Sequence, residues 1–345
     1  MDFVFTDCTP EESCPLKVFG LPPFYDGEGF SRCHNSILEK IPRVRGLGKR
    51  SGGGRICFRT DAPELICRMT LSSVGLDLGI SMFGGSSAAV FSGPRENPLM
   101  IGLVNPGSYS EGEVTAEGKM SREFIGYDGS FKDITVFLPR NETVVGFSVG
   151  VEEGYSILPP TPYRNERPVA FYGSSITEGG CPSSGPSSYV SHVSNLLNLD
   201  VVNYGFSGSA QGDLNFADYI VSRNPPAVVY DYDFNAPDEE WLSKTHEPFY
   251  RRLREGLPDA PIIMMSRPDF TLSEESKKRR EIILRTYAHA IADGDTNVRF
   301  IDGRAIFPNE ARPYCNVDCC HPNDLGFYFM TCAVAPVLKE VLGID

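Results

Sequence analysis

Four short blocks of this sequence hold residue types suited to acyl-transfer chemistry. They are Gly173-Ser174-Ser175-Ile176-Thr177, Asn203-Tyr204-Gly205-Phe206-Ser207-Gly208, Asp233-Phe234-Asn235 and Asp318-Cys319-Cys320-His321. A serine hydroxyl is a weak nucleophile and needs an adjacent base. An imidazole serves, because its pKa lies near working pH. The ring needs a partner that fixes its tautomer, and Asp318, three residues before His321, can reach it across a turn. A tetrahedral intermediate then needs two or three hydrogen-bond donors. The expected roles are nucleophile Ser175, base His321 and orienting carboxylate Asp318. The expected oxyanion hole is the backbone amides of Ser175 and Gly208 with the side-chain amide of Asn235.

The elements that must position these groups are legible as apolar runs at 169–172, 200–204, 227–232, 261–265 and 298–301. Helix-like segments fall between and after them, near 187–198, 212–223, 238–256, 272–292 and 323–342. Strands alternating with helices predict an α/β unit with a parallel five-stranded sheet. Sites in such sheets form outside the carboxyl ends of the strands. Ser175 follows the first run, Gly208 the second and Asn235 the third, while Asp318 and His321 follow the fifth. All five residues are expected at one sheet edge. Arg267, directly after the fourth run, is expected there too, as a substrate contact. His246 and Trp241 follow the Asn235 loop and are candidate substrate-binding residues; the competing reading is a helix face packed on the sheet.

The first half has a different pattern. Between about residues 54 and 151, strand-like runs at 55–59, 65–69, 132–138 and 143–149 are separated by glycine and polar turns, with no helical period. This predicts an all-β sandwich. Residues 1–45 are expected to add an edge strand or a wrapping arm. Gly146-Phe147-Ser148-Val149-Gly150 matches the G-x-S-x-G nucleophile pattern, which works only at a strand-to-helix turn. Val151-Glu152-Glu153-Gly154 and a proline-rich stretch follow instead, so Ser148 is read as a strand residue. Residues 158–168 hold four prolines and read as a stiff, extended connector. The expected plan is a sandwich domain over 1–157, a linker over 158–167 and a catalytic domain over 168–345.

A chain of 345 residues suits two domains. Its net charge of −13 argues against nucleic acid and anionic membranes as partners. No apolar run approaches the roughly 20 residues that span a bilayer. The acidic start, Met1-Asp2-Phe3-Val4-Phe5-Thr6-Asp7, lacks the features of a secretory signal, so a cytoplasmic location is expected. The expected partner is a small-molecule or oligosaccharide ester, with a homo-oligomer left open. Ten irregularly spaced cysteines read as reduced, partly buried thiols. A zinc site at Cys315, Cys319, Cys320 and His321 would need four tetrahedral ligands. Adjacent cysteines without a C-x-x-C pair argue against it. No metal and no cofactor are expected.

On its four blocks, the stretch 168–345 resembles an SGNH (GDSL-like) hydrolase, whose name lists the Ser, Gly, Asn and His of those blocks. Ser174 stands where that family has aspartate, and Phe234-Asn235-Ala236 where it has glycine before Asn-Asp. The resemblance implies a flavodoxin-like domain and the same roles for Ser175, Gly208, Asn235, His321 and Asp318. Gly75-Leu76-Asp77-Leu78-Gly79, Lys244-Thr245-His246-Glu247 and Ser266-Arg267-Pro268-Asp269-Phe270 are similar to elements of a two-domain bacterial subfamily with an N-terminal, jelly-roll-like sandwich. That plan is similar to sugar deacetylases. It implies a serine esterase removing short acyl groups, acetyl foremost, from carbohydrate. A general carboxylesterase or lysophospholipase-like enzyme on lipid esters is one rival; long exposed apolar stretches would favour it, and the sequence shows none. A non-catalytic glycan-binding protein is another; loss of a Ser, His or Asp would favour it, and all three are present.

Overall fold

A computed structural model describes residues 2–21, 29–77, 79–122 and 126–344; Leu78 of the Gly75–Gly79 element lies outside them. The chain forms two compact units. One comprises Met1–Asn35, Gly46–Arg164 and Ser183–Pro186, the other Ser36–Arg45, Asn165–Pro182 and Ser187–Asp345.

The first unit holds two antiparallel sheets. In one, the order is β1 (Phe3–Asp7), β9 (Val144–Glu152), β4 (Leu65–Leu71) and β7 (Val114–Met120). In the other it is β10 (Ile157–Leu158), β3 (Arg55–Thr60), β8 (Lys132–Phe137), β5 (Ala88–Ser92) and β6 (Leu99–Val104), with β2 (Lys17–Phe19) also paired to β3. Strand alternation builds the core: Leu65, Cys67, Met69 and Leu71 of β4 are buried and share one apolar cluster with Ile56, Phe58, Ile134 and Val136. The edge strand expected from the N-terminal segment is β1. Ser148 lies within β9, opposite Asp7 on one side and Arg68 on the other. The proline-rich stretch opens as β10 and belongs to this unit as far as Arg164; from Asn165 on it belongs to the other. Arg95 donates to the carbonyls of Thr161 (2.6 Å) and Pro162 (3.3 Å) and lies over the Tyr163 ring.

The second unit holds a parallel sheet of β11 (Val169–Gly173), β12 (Val201–Gly205), β13 (Val228–Asp231), β14 (Ile262–Met265) and β15 (Val298–Ile301). Its order is β12-β11-β13-β14-β15, the flavodoxin-like arrangement. Every residue of β11 to β14 is buried, as expected of strands covered on both faces. The helices, numbered within this unit, are α1 (Ser175–Glu178), α2 (Tyr189–Leu197), α3 (Leu214–Arg223), α4 (Glu239–Gly256), α5 (Glu274–Ala292) and α6 (Asp324–Val341). Val169 and Phe171 point to the face covered by α2 and α6. Tyr172 points to the other, stacking on Phe216 of α3 and Phe249 of α4. No helix among the described residues is long and apolar enough to cross a membrane.

The edge that carries the four blocks is shaped by two glycines. Gly173 and Gly205 are paired across β11 and β12, and Gly173 faces Asp231 on its other side. A Cβ at Gly205 would run into the backbone of Thr177 and Glu178. One at Gly173 would run into the Asp231 carboxylate and the Thr177 hydroxyl. The short helix α1 therefore rests directly on the strand ends. Beneath it, the buried Asp231 carboxylate accepts from the Thr177 hydroxyl and from the Ser174 amide.

Burial pushes the Asp231 carboxyl up to about 8, against the hydrogen bonds from Thr177 and Ser174. A folded-state pKa raised above the unfolded value means the native state holds the proton longer. The associated stability is complete below about pH 4 and is lost as pH rises to about 8. Asp231→Asn removes this ionisation. Its melting temperature relative to the native chain is expected to rise between about pH 5 and about pH 9, by about 2 °C or more. Thermal melts across that range test this, and a constant difference would refute it.

Candidate active site

Ser175 is the first residue of α1. The helix is capped by Ser174, whose Oγ accepts from the Ile176 amide at 3.2 Å. Ser174, which stands where the resembled family has aspartate, thus takes the capping role and leaves Ser175 free for another. The turn is closed behind it by Gly179, in the left-handed region at φ 93°, and by the Gly180 amide on the Ser175 carbonyl.

Ser175 Oγ lies 2.8 Å from His321 Nε2, and His321 Nδ1 lies 2.7 Å from Asp318 Oδ2. The other carboxylate oxygen of Asp318 accepts from the backbone amides of His321 (2.7 Å) and Cys320 (3.0 Å). One carboxylate therefore orients the ring and folds the loop that carries it. Asn316 Oδ1 accepts from the Cys319 amide, which settles Cys319 at φ 62°. The loop then enters α6 through Asn323, whose side chain caps the Gly326 amide.

The electrostatics follow from this packing. The Cys320 thiol beside the ring and the Asp318 carboxylate push His321 up to about 9, against its partial burial. Asp318 is held below the ordinary carboxylate range. Some desolvation opposes this, but the hydrogen bonds from the His321 ring and the two amides prevail.

The three amides expected to face an oxyanion come from three segments, the start of α1 (Ser175), the turn after β12 (Gly208) and the loop after β13 (Asn235). Nothing among the described residues accepts from the backbone amide of Ser175 or of Gly208. Gly208 is exposed, at φ 65°, with open space around its Cα. Its turn is held from both sides. The buried Glu178 carboxylate at the end of α1 accepts from the Ser207 amide (3.0 Å) and hydroxyl. Arg43 Nε donates to the Ser209 carbonyl at 3.1 Å, and its guanidinium pairs with Asp213. Asn203 ties β12 to α1 through the Thr177 carbonyl at 2.7 Å. Asn235 Nδ2 lies 3.5 Å from the Phe206 carbonyl, which sets its amide beside the same turn.

The Asn235 loop is locked by buried charge. Asp233 accepts from the amides of Phe234 and Arg267, both at 3.1 Å. Burial raises its pKa to about 6, opposed by those bonds and by the guanidinium groups of Arg267 and Arg279. Arg279 reaches from α5, almost fully buried, and donates to the carbonyls of Asp233 and Ala236. The Phe234 ring lies 3.7 Å from the Arg267 guanidinium carbon and 5.0 Å from that of Arg279. Arg267 also donates to the Cys319 carbonyl at 3.2 Å and so bridges the Asn235 loop and the His321 loop.

The other candidates fall differently. Trp241 is 42% exposed, with Nε1 on the Gln211 carbonyl, just beyond the Gly208 turn. His246 is 2% exposed, packed on Tyr230 and Tyr232, with Nδ1 on Thr286 Oγ1 at 2.9 Å. It belongs to the face of α4 that covers the sheet, because an imidazole with a hydroxyl partner fits among those aromatic rings. Three supporting residues were not singled out from sequence. Arg279 sits at the helical spacing of Ile283, Thr286 and Ala290, all buried, so a charge on an apolar stripe was its signal. Glu178 is a carboxylate directly after the Gly-Ser-Ser-Ile-Thr run. Arg43 carries no sequence signal for its contact with Ser209.

This arrangement can deprotonate a hydroxyl, hold the resulting imidazolium and stabilise an oxyanion beside it. The sequence profile of the GDSL-like lipase/acylhydrolase family matches residues 166–339, just over half the chain. No curated protein matches the chain. Among solved structures, the fold is similar to a protein from Bacteroides ovatus ATCC 8483 described as a GDSL-like lipase. They share 21% identity over 100% of this chain and 99% of that one, at a TM-score of 0.86. It is also similar to the salicylyl-acyltransferase SsfX3 of a tetracycline biosynthetic pathway, at 17% identity, 99% and 98% coverage and a TM-score of 0.75. An acetyl xylan esterase, Est2A, from the rumen bacterium Butyrivibrio proteoclasticus is similar at 13% identity, 99% coverage of both chains and a TM-score of 0.63. At these identities the likeness speaks for the fold.

Two measurements probe the geometry. Asn235→Ala is expected to cut kcat on an ester by about 10²–10³-fold with little change in KM, as for loss of one oxyanion donor. A change in KM alone would refute that role. A base must be neutral to accept a proton, so kcat/KM is expected to climb with pH, with its midpoint near pH 9 and a plateau above it. Asp318→Asn is expected to lower the plateau and to move the midpoint to lower pH. A profile with its midpoint at the ordinary histidine value would count against the raised pKa.

Proposed function

The chain belongs to the GDSL-like lipase/acylhydrolase family, and on that premise we propose that it is a serine esterase that removes short acyl groups, acetyl foremost, from carbohydrate esters. The observation that carries the reading is the continuous chain from Ser175 Oγ to His321 Nε2 and from His321 Nδ1 to Asp318. In the proposed sequence, His321 takes the Ser175 proton as Oγ attacks the ester carbonyl carbon. The amides of Ser175 and Gly208 and the Asn235 side chain receive the oxyanion. His321 then passes its proton to the departing sugar oxygen, leaving an acyl group on Ser175. Water, deprotonated by His321, attacks that acyl carbon, and collapse returns the proton to Ser175 and frees the carboxylic acid. Asp318 stays ionised throughout and stabilises the imidazolium. Arg267, in the loop after β14, and Trp241, in the first turn of α4, are proposed as sugar-facing residues.

The carbohydrate part is supported by neighbours of the same two-domain fold that are described as a family two carbohydrate esterase and an acetyl xylan esterase. The acceptor in the second half-reaction is a separate question, since a neighbour of this fold is described as an acyltransferase. Six of the ten cysteines are buried, which suits reduced thiols and supports a cytoplasmic location.

Ser175→Ala is expected to lower ester hydrolysis by about 10⁴-fold or more while the melting curve stays native. A serine-reactive phosphonate should label Ser175 and spare Ser148. Near-native turnover in the variant would sink the assignment. Acetylated oligosaccharides should be better substrates than nitrophenyl esters of increasing chain length, and acetyl should be the best of the latter series. A kcat/KM that rises with acyl length would turn the reading to lipid esters. Adding a free sugar as acceptor should leave acetate, not acylated sugar, as the main product.

A further inference from the structure

The loop that carries His321 also gathers a metal-ligand set. Among the described residues, Asp318, Cys320 and His321 each offer a ligand atom, and these atoms all lie within 4.8 Å of one another. A carboxylate, a thiol and an imidazole form the donor set that borderline-soft divalent ions take, zinc above all. Zinc bonds of about 2.0–2.3 Å in a tetrahedron place ligand atoms about 3–4 Å apart. Side-chain shifts of about 1 Å would therefore close the set. The three ligands come from four consecutive residues whose backbone is already held by Asp318 and Asn316, so little chain is ordered on binding. This set differs from the four-ligand site considered from sequence. Cys315 is buried with its thiol on the Ala311 carbonyl, and Asp318 enters in place of the other cysteines.

We propose that Asp318, Cys320 and His321 form an inhibitory site for zinc and related thiophilic divalent ions. Asp318 is exposed and Cys320 and His321 are half-buried, so an ion can arrive from solvent and keep water in its fourth position. Binding releases the thiol proton to solvent and takes the neutral ring. A thiolate and a carboxylate together neutralise the ion, which limits repulsion from the Arg267 guanidinium on the Cys319 carbonyl. The net charge of −13 favours the approach of cations. The effect on activity does not depend on which ring nitrogen takes the ion. Nε2 is the atom next to Ser175 Oγ, and Nδ1 is the atom held by Asp318. Either way the imidazole loses a partner that the proposed mechanism needs. That consequence rests on the reading of His321 as the base; binding itself does not.

The test uses the full chain stripped of metal. Zinc binding is measured by calorimetry, cobalt binding by its thiolate-to-cobalt absorption band, and hydrolysis of a short nitrophenyl ester relative to each variant's own metal-free rate. Expected are one zinc per chain, a cobalt–thiolate band, and a rate loss of about tenfold or more that a chelator reverses. Magnesium, a hard ion with a preference for oxygen, should do nothing. Cys320→Ser should abolish the band and raise the half-inhibiting zinc concentration by about tenfold or more, while Cys319→Ser should behave as the native chain. No binding at about millimolar zinc would overturn the site, as would a Cys320→Ser protein with unchanged band and sensitivity. A cobalt band with an undiminished rate would overturn the inhibitory role. A band in a protein with no esterase activity would uphold metal binding and sink the esterase reading instead.

Discussion

Two adjacent strands end in glycine, and the site depends on that absence of side chains. Gly173 and Gly205 sit side by side at the ends of β11 and β12; the backbone of α1 occupies the space a Cβ at Gly205 would need, and the Asp231 carboxylate and Thr177 hydroxyl occupy that at Gly173. A helix of four residues has no stability of its own, because nucleation costs more than one turn returns. It exists here because it is pressed onto the sheet, capped by Ser174 and closed by Gly179. With α1 so placed, the Ser175 hydroxyl points off the sheet edge to where the loop before α6 delivers His321. Any residue larger than glycine at either position would lift α1 and lengthen the Ser175–His321 contact. A misplacement of about 1 Å can cost a hundredfold in rate.

Around this pivot the donors are held by buried charge. Glu178, Asp231, Asp233 and Arg279 are all nearly inaccessible. Moving a charge out of water is expensive, and an apolar core would be cheaper. The cost is offset where each group makes several hydrogen bonds. Glu178 takes both the amide and the hydroxyl of Ser207, Asp233 takes two amides, and Arg279 spans two carbonyls. The return is geometric. Each bond fixes a loop against a neighbouring element, so Gly208 and Asn235 present their amides without reorganising. Burial outweighs the hydrogen bonds at both Asp233 and Asp231, and at Asp231 it does so furthest and favours the neutral acid.

The acid–base side is built on another principle. The loop of Asp318 to His321 lies at the surface and is held by its own short-range hydrogen bonds, not by the core. It is tied to the rest of the edge by the Ser175–His321 contact and by Arg267, which reaches from the loop after β14 to the Cys319 carbonyl. The rigidly held amides of Gly208 and Asn235 and the solvent-facing ring of His321, the proposed donors and base, thus flank Ser175. Solvent access lets the imidazole exchange protons, and it also exposes the thiol and carboxylate beside the ring to whatever ions are present.

The parallel sheet was legible from the sequence because strands covered on both faces are mostly apolar, so β11 to β15 stand out as runs between helical segments. From those runs alone, Ser175, Gly208, Asn235, Arg267 and the Asp318–His321 pair map to one edge. The sandwich was legible only in part. Strands β3, β4, β8 and β9 show as runs, whereas β2 and β10 are too short to carry a pattern and β7 alternates with glycine and charge. What the sequence by itself determined was the chemistry available and its order along the chain. Only the tertiary structure decided which groups hold that chemistry in place. It put His246 into the helix–sheet layer, Arg279 under the Asn235 loop and Arg43 against the Gly208 turn. The reason is that sequence records spacing along one strand or helix at a time. A contact such as Arg43 to Ser209, 166 residues apart, depends on how separate elements pack.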